Sequence, residues 1–520
     1  MAETCYEKLI ESHNENGVVA FYGRRIKLSG IINDIERFAA ALIKCGFARG
    51  DTITVYLPTS VQAIVAFYAA SKTGITANIV HPLMPLGTLK ENIAKTRSKG
   101  LLYFDALTPD RSVFDGMNQT LIECSVADYA GVLSPFFRLY SVFKCRGKRK
   151  ALKYMAFLKK GDSFVPVEGR SEDIAVTMHS GGTDGNPKIV AVSNRALNAL
   201  SDNLTLCDKI DKHGDYSLVA LPVFHAFGLG VSVHTALLKG YNLCLMAKFN
   251  ARRANSYIGR FNVSMIAGVP VMFKKMSEQK NFKGKKLKKL CSLWCGGDVL
   301  TEDAVIKFDK KIATEGGLAR LMRGYGLSEV TGVCAVNTEK NYKAGSVGLP
   351  ILDTVIEIWD EKGNALKPYE KGEIAVATAA CFSGYVEGPD CRKEKDGKVF
   401  VLTGDVGYLD DEGYLFVTGR KKRTVKINAV NVFPSEVEDV ILKAEGVREV
   451  AVTDYSEGNK VYLKAYVVAE KNADCDKIRK EINEISREKL IKYSHVKKVE
   501  FVDDLPRTGL GKIDYKKLKE

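Results

Sequence analysis

The sequence predicts a mixed α/β protein, with a large domain of sheets and helices followed by a smaller α+β domain. Three observations carry this. Strand-like and helix-like stretches alternate through the N-terminal part of the chain, the pattern of a largely parallel sheet with helices packed on it. At 520 residues the chain is longer than one ordinary domain. A short polar and basic run, Gly-Arg-Lys-Lys-Arg-Thr-Val-Lys at 419–426, separates two stretches that both read as folded, so the boundary is expected between 1–420 and 421–520.

The elements follow in order. Residues 31–44 read as a helix with Ile35, Phe38, Ala39 and Leu42 on one face, stopped by Gly46. Residues 51–57 read as a strand. The next helix spaces Val61, Ile64, Val65 and Tyr68 along one face and ends at Gly74. Strands are expected at 75–80, 101–104, 174–178 and 189–192. Ser193 or Asn194 caps a helix running to about Leu204. Asp-Asp-Glu-Gly at 410–413 is a hairpin turn into a strand at 414–418. In the smaller domain a helix is expected at 473–490 and a strand at 496–502.

Composition excludes several classes. An apolar share of 46% with 27% charged residues is ordinary for a soluble globular chain. No run of eighteen apolar residues suggests a membrane span, and the opening Met-Ala-Glu-Thr-Cys lacks the basic-then-apolar order of a signal peptide. Twelve cysteines without a C-x-x-C pair suit free thiols in a reducing cytoplasm. The net charge of +15 points to anionic partners, but no nucleic-acid module is present. Segment 136–160 holds no acid and interleaves Arg138, Lys144, Lys153 and Lys159 with Phe136, Phe137, Tyr140, Phe143 and Phe157. It reads either as a solvated basic surface or as a peripheral contact with the inner face of an anionic membrane.

The strings that carry chemistry begin at Ser180-Gly-Gly-Thr-Asp-Gly-Asn-Pro-Lys188. Glycines let consecutive backbone N–H groups turn toward an anion, hydroxyls add donors, and the lysine supplies a charge. A Gly-rich hairpin turn has the same composition. A Walker A loop is excluded, because Pro187 precedes Lys188 and a strand follows where that motif opens a helix. Further along stand Leu-Pro-Val-Phe-His-Ala-Phe-Gly at 221–228, Trp-Cys-Gly-Gly-Asp at 294–298, Gly-Tyr-Gly-Leu-Ser-Glu at 324–329, Thr-Gly-Asp at 403–405 and Pro-Arg-Thr-Gly-Leu-Gly-Lys-Ile at 506–513.

Together, in this order and spacing, these strings resemble the adenylate-forming superfamily of acyl-CoA synthetases, luciferases and peptide-synthetase adenylation domains. Its phosphate loop reads roughly Ser/Thr-x-Gly-Ser/Thr-Ser/Thr-Gly-x-Pro-Lys, and Asp184 departs from it at the second hydroxyl. The resemblance covers nearly the whole chain. It implies an N-terminal domain that includes a distorted barrel, and a small mobile lid hinged at Lys422. It also implies that an acid is activated to an acyl-adenylate, with pyrophosphate released, and passed to coenzyme A.

By the same resemblance Ser180, Gly181, Gly182, Thr183, Gly185 and Lys188 hold the phosphates of ATP. Gly296, Gly297, Asp298, Gly324, Tyr325, Gly326, Leu327 and Ser328 border the adenine and phosphate. Glu329, with Thr183, holds Mg²⁺. Asp405 takes the ribose hydroxyls, Arg420 reaches the ribose or α-phosphate, and Lys426 also contacts nucleotide. His225 lines the acyl pocket, and Lys512 is the catalytic lysine. The stretch after His225 lacks the Phe-Asp pair that amino-acid-activating relatives use for an ammonium group, so an α-amino acid is not the expected substrate. A medium- or long-chain fatty acid is favoured, with an aryl acid as the rival. Ala429, where the family usually has glycine, leaves a carrier-protein phosphopantetheine open as the acceptor. A non-catalytic nucleotide-binding scaffold is the reading from another class.

Overall fold

Thirteen consecutive buried residues make helix Val61–Thr73 the centre of the first part of the molecule. Ser60 caps it by accepting from the Ala63 amide, and Gly74 ends it in the left-handed conformation, at φ 67°. Helix Leu28–Lys44 packs beside it through Ile31, Ile35, Phe38, Ala39 and Leu42, the face read from the sequence, and begins three residues earlier than expected. The computed structural model describes residues 3–519 except 109, 132–133, 146–150, 162–164, 181–187, 205–213, 299, 428–429, 458–459 and 508–512. The side chains of 138, 140–142, 144, 426 and 430–431 also lie outside the described set.

The chain divides into two compact units, one of residues 1–342, 350–355 and 377–401, the other of 343–349, 356–376 and 402–520. The first contains an eight-stranded sheet in the spatial order Gly384–Tyr385, Ile189–Ser193, Ile174–His179, Thr76–Ile79, Thr52–Tyr56, Ser98–Phe104, Thr120–Cys124, Leu152–Lys153. It is parallel except at one end, where Ile189–Ser193 runs antiparallel to both neighbours. A second parallel set runs Leu321–Tyr325, Ser292–Cys295, Val263–Gly268, Tyr216–Val219, Asn242–Leu245, Val18–Phe21. The alternation read in the sequence is thus a parallel α/β architecture.

Segment 136–160 is not one continuous surface. Tyr154 and Phe157 are fully buried, with ring centroids 5.9 and 5.0 Å from Phe38. The short helix Tyr154–Leu158 turns these side chains onto helix Leu28–Lys44, so they belong to the core. Helix Ser134–Lys144 presents large apolar groups to solvent, with Phe136, Leu139 and Phe143 exposed by 69, 56 and 80%.

In the second unit, strands Val447–Glu457 and Lys460–Ala469 pair antiparallel, and Val496–Phe501 joins the latter in parallel. Helices Pro434–Ile441 and Cys475–Lys489 cover one face through Val437, Ile441, Ile478 and Ile482. The basic run 419–426 is structured: Arg420 ends a strand, Lys421–Arg423 form one helical turn, and Val425–Ile427 pairs with Val430–Val432. The charge of Arg423 is used internally. It bonds the buried Glu438 at 2.6 Å and lies 3.6 Å from the Tyr515 ring centroid. Burial raises the Glu438 carboxyl above its ordinary range, and Arg423 opposes that.

Among the described residues no helix is long and apolar enough to cross a membrane, and every cysteine is a free thiol.

One buried histidine sets a pH dependence of stability. His234 has no exposed surface and lies 3.0 Å from both the Tyr68 hydroxyl and Asn198 Oδ1. The Asn198 amide nitrogen donates to the Glu3 carbonyl, so its oxygen accepts, His234 Nε2 carries the hydrogen, and Nδ1 accepts from Tyr68. Burial pushes the His234 pKa down from 6.5 to about 3. The folded chain therefore keeps this imidazole neutral while the unfolded chain takes up a proton below 6.5. The associated stability is complete above that pH and is lost as the pH falls toward 3. Across the middle of the window the loss approaches about 1.4 kcal/mol per pH unit. The free energy of urea unfolding, followed by tryptophan fluorescence, should fall more steeply with falling pH in the wild type than in His234→Gln, by about one proton. Parallel slopes would show that His234 titrates normally.

Candidate active site

Parallel strands Val263–Gly268, Ser292–Cys295 and Leu321–Tyr325 all deliver their carboxyl ends to one edge, where open α/β sheets bind ligands. The chain there is close-packed backbone. The Gly296 amide donates to the Gly268 carbonyl at 3.2 Å, and a Cβ on Gly296 would lie 3.1 Å from the Gly324 carbonyl oxygen. Gly297 turns the chain at φ 80° toward Asp298. A Cβ on Gly326 would meet the Gly332 carbonyl at 2.1 Å, so only glycine fits. The strings 294–298 and 324–329 are therefore neighbours through Gly296 and Gly324.

After Tyr325 the chain runs through Leu327 into a one-turn helix, Ser328–Val330, that carries Glu329. His225 follows the neighbouring strand Tyr216–Val219 and precedes a wide-turned helix, Phe227–Thr235. The rings of His81, Phe224 and His225 form a row with spacings of 4.6 and 4.8 Å. Gly332, at φ 116°, would bring a Cβ within 3.2 Å of the Ala226 and Phe227 backbone. The histidine and glutamate strings thus pack together.

The phosphate-loop string closes a hairpin. The Ser180 amide donates to the Lys188 carbonyl at 2.9 Å, and the Lys188 amide returns a bond to Ser180 Oγ at 3.3 Å. Gly181, Gly182, Thr183, Asp184 and Gly185 lie outside the described residues. Lys188 Nζ sits 4.0 Å above the centroid of the Tyr385 ring. The Tyr385 hydroxyl donates to Glu329 Oε1 at 2.9 Å and lies 3.4 Å from Cys391 Sγ. The phenol is pushed well above its ordinary pKa by burial, by the bond to Cys391 and by the charge of Glu329, and so remains a donor.

Tyr385 was not singled out from the sequence. It reaches the site because Gly384–Tyr385 pairs with Ile189–Ser193, setting Tyr385 opposite Val190. Nothing in the string Ser-Gly-Tyr-Val distinguishes it from any loop aromatic.

The residues fit Mg²⁺. Glu329 is 9% exposed, and a carboxylate with neighbouring hydroxyls is the oxygen chemistry this cation takes. Among the described residues no cluster of three or more His, Cys, Asp or Glu could hold a metal by itself.

In the second unit Asp405 and Arg420 stand opposite each other on paired strands, and Arg420 Nε bonds Asp405 Oδ1 at 2.9 Å. The Asp405 amide donates to Thr403 Oγ1 at 3.1 Å, and that hydroxyl donates to the Ile374 carbonyl at 2.8 Å. Asp405 is buried, and its carboxylate pairs with Arg420. Lys422 sits exposed on the turn Lys421–Arg423. The side chain of Lys426, and Ala429 and Lys512 entirely, lie outside the described residues.

The chain matches known proteins over almost its full length. Residues 12–386 match the AMP-binding enzyme family, and residues 436–512 match the AMP-binding enzyme C-terminal domain. The long-chain-fatty-acid–CoA ligase of Bacillus subtilis (strain 168) is 29% identical, with 96% of this chain and 91% of that protein covered. ATP-bound MatB from Rhodopseudomonas palustris superimposes with a TM-score of 0.84 at 23% identity, covering 100% of this chain and 98% of MatB. The o-succinylbenzoate CoA synthetase of Bacillus subtilis, in complex with its acyl-adenylate, gives a TM-score of 0.81 at 21% identity, covering 100% and 99%. With a large sheet domain, a small C-terminal domain and motifs in the expected order, the chain belongs to the AMP-binding enzymes, the adenylate-forming acyl-CoA synthetase family.

Proposed function

We propose that the chain joins a medium- or long-chain fatty acid to coenzyme A in two steps, consuming ATP. The observation that carries this is the gathering of Lys188, Tyr385 and Glu329 beside the glycine-lined strand edge, in a chain whose curated relative activates long-chain fatty acids.

In the first step a carboxylate oxygen attacks the α-phosphorus of ATP. A new P–O bond forms, the α–β bridging bond breaks, and pyrophosphate leaves. Two anions must meet, so the barrier is one of charge. Lys188 and the backbone of loop 180–188 offset the phosphate charge, and Lys512 adds a positive charge where the two reactants meet. Mg²⁺, through Glu329 and Thr183, would draw charge from the phosphate oxygens. Asp405 and Arg420 hold the ribose, Tyr325 stacks on the purine, Gly296, Gly297 and Asp298 border it, and Lys426 adds a contact. His225 lines the acyl pocket.

In the second step the thiolate of coenzyme A attacks the acyl carbonyl. A C–S bond forms, the C–O bond to phosphate breaks, and AMP leaves. Residues 421–520 act as a lid that turns about Lys422 between the steps. Such a turn would break the ion pair Lys371–Glu436 and the bond from Ser435 Oγ to the Thr418 carbonyl, which join the two sides of Lys422.

A second reading concerns supply of the acid. Phe136, Leu139 and Phe143 are three and seven positions apart, so they share one exposed face of helix Ser134–Lys144, in a stretch without acids. This supports peripheral contact with an anionic bilayer, from which a fatty acid would be drawn.

The decisive measurement is AMP release with ATP, Mg²⁺ and a panel of acids, with and without coenzyme A. Coenzyme-A-dependent turnover on long-chain acids supports the proposal, and turnover on benzoates alone would favour an aryl-acid ligase. Pyrophosphate release without thioester would favour a carrier-protein acceptor. No exchange of pyrophosphate into ATP with any acid would leave a non-catalytic scaffold.

Lys512→Ala should slow acid-dependent pyrophosphate release by about 100-fold or more while the protein stays folded. Full adenylation by this variant would remove Lys512 from the mechanism. In sedimentation assays the wild type should partition onto vesicles containing phosphatidylglycerol and not onto neutral ones. Phe136→Ser with Phe143→Ser should lose that binding, and equal binding by both proteins would sink the membrane reading.

A further inference from the structure

Two functional side chains of opposite charge approach each other at the phosphate end, and a neutral group stands between them. Lys188 lies over the face of the Tyr385 ring, while Glu329 is bonded at the hydroxyl edge of the same ring. The ring itself is fixed. Its backbone is paired in the sheet opposite Val190, two residues from Lys188, and Phe382 packs edge-on at 4.9 Å between centroids. The Phe382 amide also donates to the Glu329 carbonyl at 3.0 Å, so the same short segment holds both the backbone and the carboxylate of Glu329.

We propose that Tyr385 is a positioning residue for the adenylation step, whose hydroxyl aims the Glu329 carboxylate and whose ring seats Lys188 apart from it. The proposal rests on Glu329 as the Mg²⁺ ligand and Lys188 as a phosphate contact. Its physical logic is a choice between two resting states. Were Lys188 to pair directly with Glu329, each would neutralise the other, and nucleotide and metal would have to break an ion pair in a buried place before binding. A ring face holds an ammonium without a directional hydrogen bond, so the lysine is released to phosphate easily. The phenol O–H occupies one oxygen of the carboxylate and orients the group, as a ligand's neighbours commonly do at metal sites.

The two contacts belong to different atoms of one side chain, so two substitutions separate them. Tyr385→Phe keeps the ring and removes the hydroxyl. Tyr385→Leu removes both. The experiment is calorimetric titration with α,β-methylene ATP, which cannot lose pyrophosphate, in Mg²⁺ and in EDTA. Wild type, both variants and Glu329→Gln are compared, each with its melting temperature.

Tyr385→Phe should bind the metal-free nucleotide like the wild type but lose about tenfold of the affinity gained on adding Mg²⁺. Tyr385→Leu should in addition bind metal-free nucleotide about fivefold more weakly, because Lys188 is no longer seated on a ring. Glu329→Gln should abolish most of the gain from Mg²⁺. If Tyr385→Phe keeps the full gain while Glu329→Gln loses it, the positioning role is overturned and the metal reading stands. If Glu329→Gln keeps the gain, the metal reading fails and the proposal falls with it. A Tyr385→Phe protein with equal weakening in Mg²⁺ and in EDTA would show a merely structural hydroxyl and overturn the proposal as well.

Discussion

The candidate site depends on one strand running the wrong way. In a sheet that is otherwise parallel, Ile189–Ser193 returns antiparallel to Ile174–His179, so Ser180 and Lys188, the two ends of the phosphate-loop string, are tied together. The return strand has an outer edge, and two residues from far along the chain, Gly384 and Tyr385, close it. An unpaired edge would leave backbone donors and acceptors without partners. Satisfying them carries Tyr385 to Lys188 and Glu329. Structural need and chemical arrangement are met by one pairing.

Charge organises what surrounds it. The strand ends that bring Gly296, Gly324 and Gly326 together pack backbone on backbone, most tightly at Gly326, where a Cβ would meet the Gly332 carbonyl. Beside them Lys188 lies over the Tyr385 ring and Glu329 accepts from the hydroxyl of the same side chain. The second unit follows the same rule. Asp405 is opposed by Arg420, and Glu438 by Arg423, which counters the upward push that burial gives the Glu438 carboxyl. Lys422 lies exposed between these two arginines, each with its carboxylate partner.

Much of this was legible beforehand, for identifiable reasons. The helix face of Phe38 and Leu42 was readable because burial of one side imposes a 3.6-residue period. Helix Val61–Thr73, expected to bury one face through Ile64 and Tyr68, is instead buried all round. Asp405 and Arg420 lie in one hairpin, where a short turn sets the register. Segment 136–160 misled in part. Its aromatics looked alike in composition, yet Tyr154 and Phe157 are core and Phe136 and Phe143 are surface. Only the partner helix decides which, and it lies more than a hundred positions away.

By itself the sequence determined the fold class, the order of the chemical strings and the family, because periodicity, turn residues and short motifs are local properties of the chain. The tertiary structure alone decided which residues share a space. Tyr385 became the neighbour of Lys188 and Glu329, His234 became a neutral hydrogen-bonded imidazole, and the basic run 419–426 became structured. The first two rest on pairings between distant segments. Such pairings are set by strand register and by satisfaction of buried polar groups, and neither leaves a mark in the neighbouring sequence.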